Sequence, residues 1–124
     1  MSVMSLTTDN LEATVAGNGI VIIDFWAAWC GPCRAFKPTF EAASDKHADV
    51  TFASCNTEEQ PELVAMFQIR SIPTLVVFRD GIPIFGQPGS LPAAALDELL
   101  QKVRDLDMDV VRAKVAAAET AASA

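Results

Sequence analysis

Residues 20–26 read Ile-Val-Ile-Ile-Asp-Phe-Trp, a β-branched and aromatic run broken by a single carboxylate. No polar side recurs along it, so it is predicted to be a central strand covered on both faces, and a strand of that kind needs a helical layer above and below it. After Ala27, Ala28 and Trp29 the chain meets Cys30-Gly31-Pro32-Cys33. A proline suits the first turn of a helix, where its missing N–H wastes no donor, so the two cysteines straddle a strand-to-helix turn. Cys30 then sits where unpaired backbone N–H groups and the positive end of the helix dipole favour a thiolate, the reactive form of cysteine.

The rest of the chain alternates in the same style. Asp9 followed by Glu12 resembles a capping box for a short helix closed by Gly17 and Gly19. A helix from about Pro32 to Lys46 carries Phe36, Phe40 and Ala43 on one side, with a kink expected at Pro38. Val50 to Cys55 alternates as a strand, Pro61 to Phe67 starts a short helix on a proline, and Thr74 to Phe78 is a second buried strand. Asp80-Gly81 signals a hairpin into Ile82 to Phe85, and Ser90 is placed to cap a helix bearing Leu96, Leu99, Leu100 and Val103. This order predicts an α/β fold: a mixed central sheet, parallel strands plus an antiparallel hairpin, flanked by helices on both faces. The domain is expected over residues 1–104, followed by an acidic, then Ala-rich tail over 105–124. Leu106, Val110 and Lys114 suggest that the last helix continues for a few turns before the end frays.

Composition excludes several functions. A net charge of -7 offers no basic cluster for a phosphate backbone, so nucleic acid is not an expected partner. The first ten residues lack a basic then apolar leader, and the longest apolar run is interrupted by Asp24 and too short to span a bilayer. No membrane partner is expected, and the expected location is the cytoplasm. Three cysteines, Cys30, Cys33 and Cys55, are too few for a secreted disulfide framework. A closed zinc site needs four ligands, whereas only Cys55 and His47 remain, at no second-pair spacing, so no metal is expected. Cys55 reads as a small buried hydrophobe, Trp26 as core, and His47 as an exposed residue near a helix end.

Trp29-Cys30-Gly31-Pro32-Cys33, the lead-in Asp24-Phe25-Trp26-Ala27, Ile72-Pro73-Thr74, Pro38, Gly81 and Gly89 together resemble the thioredoxin family over roughly residues 5 to 104. Ser54 departs from the pattern, standing where many members carry a lysine near the buried acid. The resemblance implies a thioredoxin fold and a protein-disulfide reductase. In it Cys30 is the nucleophile, Cys33 the more buried resolving thiol, and Asp24 the acid that acts on Cys33 through water. It implies a cis Pro73 beside the cysteines, substrate pairing at Ile72, and a rim of Trp29, Gly31, Pro32 and Gly89. The implied partners are disulfide-containing proteins and a flavin- and NADPH-dependent thioredoxin reductase, with no cofactor bound to what is expected to be a monomer. A thioredoxin-fold binding or chaperone-like module with dispensable thiols is the alternative, and an oxidase or isomerase would run the same chemistry in reverse.

Overall fold

In chain order the backbone forms β1 (Val3–Ser5), α1 (Leu11–Val15), β2 (Ile20–Trp26), α2 (Gly31–Lys46), β3 (Val50–Asn56), α3 (Pro61–Met66), β4 (Thr74–Arg79), β5 (Ile82–Pro88), α4 (Ala93–Arg104) and α5 (Met108–Ser123). The computed structural model describes residues 3–17 and 19–123; the start of the N-terminal decapeptide and the last residue of the tail expected to fray lie outside them. The five strands form one sheet in the order β1-β3-β2-β4-β5. β1 and β2 flank β3 in parallel, whereas β4 is antiparallel to β2 and to β5.

β2 is the central strand that its composition predicts, and its side chains alternate between two apolar layers. Ile20 and Ile22 meet Phe36 and Phe40 of α2 and Leu96 and Leu100 of α4. Val21, Ile23 and Phe25 meet Leu63 of α3, with Leu11 and Val15 of α1 packed against them. Each such aromatic or aliphatic side chain contributes about 1.5–3 kcal/mol on full burial, so neither face can turn to water. Asp24 follows Ile20 and Ile22 in this alternation and falls on the α2 side of the sheet. The hairpin forms at Asp80-Gly81, both at positive φ (53° and 79°), the backbone of a two-residue turn matched to the strand twist.

Several local expectations are overturned. β1 has no counterpart in the periodicity, because Val-Met-Ser is too short to show one. It forms by adding to the open edge of β3, and Leu6 N–H donates to the Ser54 carbonyl at 2.8 Å just beyond it. Asp9 does not cap α1: the N-cap is Asn10, whose side chain accepts from Thr7 N–H at 2.8 Å while Thr7 Oγ1 accepts from Asn10 N–H at 3.3 Å. Ser90 does not cap α4 either, since the residue before a proline is disfavoured in helix and the helix begins after Pro92. α2 starts one residue early, at Gly31, and passes through Pro38; β5 continues to Pro88.

The last helix is not prolonged into the tail. Arg79 Nη1 donates to the carbonyls of Val103 (2.6 Å), Arg104 (2.9 Å) and Leu106 (3.1 Å), taking up the acceptors left at the C-terminus of α4. A separate helix, α5, then starts behind Asp107, whose Oδ1 accepts from Asp109 N–H at 3.0 Å. Met108 is buried and Arg112 reaches Asp80 at 3.6 Å, so the first turns of α5 rest on the hairpin end of the sheet.

His47 is buried, not exposed. It ends α2, with Nε2 at 2.6 Å from Asp97 Oδ1 and Nδ1 at 2.8 Å from an Arg104 nitrogen. Arginine can only donate, so Nδ1 accepts and Nε2–H donates to Asp97. Arg104 also holds Asp49 at 2.8 and 2.9 Å, and this keeps the Asp49 carboxyl below its ordinary range. The cluster ties the end of α2 to α4.

Candidate active site

The site is assembled where β2 ends and α2 begins. Cys30 is the N-cap of α2 with extended backbone (φ -87°, ψ 112°), and its sulfur accepts a hydrogen bond from the Cys33 backbone N–H at 3.2 Å. The sulfur thereby does what a capping oxygen does elsewhere: it takes one of the orphan donors of the first helical turn. Gly31 and Pro32 lie exposed across that turn, and Cys30 and Cys33 are joined as a disulfide. Burial barely separates the two residues, Cys30 being 5% and Cys33 3% exposed.

Two other segments close on the pair. The Ile72–Pro73 peptide bond is cis, Pro73 is buried, and the Ile72 carbonyl oxygen lies 3.8 Å from Cys30 Sγ. Gly89, at φ +100°, donates its N–H to the Pro73 carbonyl at 2.7 Å, a backbone conformation that side-chain-bearing residues rarely adopt. Trp29 is 67% exposed, a large aromatic standing free at the rim. Sequence reading assigned Trp26 to the core, but it is half-buried and packs against Ala27, Cys30 and Cys33. Cys55 is fully buried on the opposite layer, and burial pushes its thiol up to about 11.

Asp24 lies behind the disulfide, only 4% exposed, and its Oδ1 has no hydrogen-bond partner. Burial alone, with no cation close enough to offset it, raises its carboxyl from 3.8 to about 7. It lines a cavity of about 630 Å³ together with Cys33 and Ser54, so the acid and the second thiol face one space. Ser54 is Asp24's partner on β3, and Ser5 is Ser54's partner on β1. Ser5 escaped sequence reading because nothing in residues 3–5 signalled a strand. Its place follows only from pairing with β3. No group of His, Cys, Asp and Glu among the described residues could hold a metal ion. Nor is any of their helices long and apolar enough to cross a membrane.

Comparison with known proteins adds to this geometry. The family model described as Thioredoxin matches residues 2–104. Putative thioredoxin 2 of Streptomyces coelicolor is 49% identical over 115 residues, covering 93% of this chain and 86% of that protein. The thioredoxin of Alicyclobacillus acidocaldarius is 44% identical over 101 residues, covering 81% and 96%. Among solved structures, the crystal structure of Malassezia sympodialis thioredoxin superposes with a TM-score of 0.74 at 33% identity, covering 82% of this chain and 90% of that one.

Proposed function

This chain belongs to the thioredoxin family and is a protein-disulfide oxidoreductase working by dithiol–disulfide exchange at Cys30 and Cys33, and we propose that it runs in the reducing direction. The observation that carries the exchange chemistry is the position of Cys30, an N-cap sulfur that accepts the Cys33 N–H and is set up to bear negative charge, while the reducing direction rests on Gly31-Pro32, the dipeptide that goes with reducing members of the family. In the reduced protein the Cys30 thiolate attacks one sulfur of a substrate disulfide, and the other substrate sulfur leaves as a thiolate that takes a proton from water. Cys33 gives its proton to Asp24, attacks Cys30 Sγ and expels the second substrate thiolate. Two electrons pass to the substrate and the Cys30–Cys33 disulfide remains. Asp24 suits the proton step because its carboxyl, raised to about 7, can both hold and release a proton near neutral pH.

A substrate strand pairs with the backbone at Ile72 and lies over Pro73, Trp29, Gly31, Pro32 and Gly89. The 3.8 Å approach of the Ile72 carbonyl to Cys30 supports this, because a chain bonded there would carry its own sulfur to the nucleophile. The dithiol is restored by a flavin- and NADPH-dependent thioredoxin reductase, so the chain, acting as a monomer in the reducing cytoplasm, binds no cofactor itself. Insulin reduction with NADPH and thioredoxin reductase tests this reading. Turnover that vanishes when Cys30 is replaced supports it, and absence of turnover in the parent protein overturns it.

A further inference from the structure

Asp24 is nine-tenths buried, yet its Oδ1 finds no protein partner, and the cavity beside it, to which α2 contributes charged residues, is also polar on its sheet side. That side is a row of paired residues on three adjacent strands, Ser5 on β1, Ser54 on β3 and Asp24 on β2. Residues paired in parallel strands project to the same face, and strands lie about 4.8 Å apart, so the row extends over about 10 Å. Exposure rises along it: Asp24 is buried, Ser54 half-buried and Ser5 exposed. All three line the same cavity as Cys33, and at about 630 Å³ it exceeds the roughly 30 Å³ that one water occupies in the liquid many times over. The charged groups on this cavity come from α2: Arg34, Lys37 and Glu41. Arg34 Nη1 donates to the carbonyl of Ala28, another residue of the cavity lining, at 2.8 Å.

We propose that the Ser5–Ser54 row conducts the proton between Asp24 and solvent, with Ser54 as a positioning residue that orients the water on the carboxyl. A hydroxyl donates and accepts at once, so each serine can pass a proton along a hydrogen-bonded file without becoming charged. When Cys33–SH gives its proton to Asp24, the carboxylic acid returns it along the row to bulk water, and the carboxylate is regenerated for the next cycle. The electrons of the exchange stay on the sulfurs. This inference rests on the reading of Asp24 as the proton acceptor for Cys33.

The test follows resolution of a mixed disulfide between Cys30 and a chromogenic aromatic thiol by stopped flow, in light and heavy water, over roughly pH 5 to 9 around the optimum for a general base. Parent protein, Ser54→Ala, Ser54→Thr, Ser5→Ala, Asp24→Asn and the double variant Asp24→Asn with Ser54→Ala are compared. Ser54→Ala is expected to slow resolution about three- to tenfold at neutral pH, the rate equivalent of one lost hydrogen bond, and to change its solvent isotope effect. Ser54→Thr restores both, Ser5→Ala acts in the same direction, and Ser54→Ala adds nothing once Asp24 is Asn. A parent rate and isotope effect in Ser54→Ala, alongside a slow Asp24→Asn, overturns the row and leaves Asp24 in its role. The same slowing by Ser54→Ala in both backgrounds also overturns it, by showing an effect independent of the acid. A parent rate in Asp24→Asn removes the role of Asp24 and the row with it.

Discussion

Cys30 Sγ accepts the backbone N–H of Cys33 at 3.2 Å, so the first thiol of the motif is held as the cap of the helix that carries the second. The two cysteines are therefore not equivalent in the structure, although both are buried to nearly the same degree. Cys30→Ser is expected to abolish insulin reduction, whereas Cys33→Ser still makes the first attack and accumulates mixed disulfides with substrates. Mass spectrometry of trapped adducts checks this; equal trapping by both variants contradicts the assignment.

Asp24 should act in opposite directions on stability and on rate. Its folded value, about 7, lies above the unfolded 3.8, so the native state holds this proton more tightly than the unfolded chain. The stability contributed by the protonated carboxyl is complete below about pH 4 and is lost as pH rises through about 7, a difference on the order of 4 kcal/mol. Asp24→Asn should accordingly raise stability at pH 7 by about 2–4 kcal/mol and flatten the decline between those pH values. The same variant should slow resolution by Cys33 about a hundredfold. Denaturant melts across the pH range, with stopped-flow resolution at pH 7, measure both.

His47 predicts a purely structural effect. Replacing it with Ala removes two hydrogen bonds between α2 and α4 and leaves the Arg104 and Asp97 groups short of a partner. A loss of about 1–3 kcal/mol is expected by urea denaturation, with insulin reduction unchanged at temperatures where the protein stays folded. A drop in activity without loss of stability would contradict this.

For the tail, the expected boundary of sensitivity lies within α5. Removing residues 113–124 takes away Ala-rich turns that are mostly exposed among the described residues, and should leave both stability and activity unchanged. Met108→Ala, which empties a buried site at the start of α5, should cost about 2 kcal/mol with activity retained. Thermal melts and insulin reduction of the two variants separate these outcomes.

Much of the fold was legible because the dominant signals were local and redundant. The unbroken apolar character of residues 20–26 reported a strand covered on both sides, and Asp80-Gly81 reported a turn that needs two positive φ angles. Where one weak local signal competed with a neighbour, the reading failed. Asp9 lost the cap of α1 to Asn10 because Asn10 bonds with Thr7, and Ser90 lost that of α4 to the conformational bias before Pro92. The tail looked like a continuing helix until Arg79, far away in the chain, took the carbonyls that end α4.

The sequence by itself determined the central strand, the redox pair on a helix start and the presence of one carboxylate among apolar neighbours, since each depends on residues within a few positions of one another. Only the tertiary structure decided that β1 exists, that His47 is buried, and that Ser5, Ser54 and Asp24 stand side by side. Strand pairing, and for His47 the packing of α2 on α4, set these relationships: both join residues tens of positions apart, and their free energy comes from edges and faces that no local window contains.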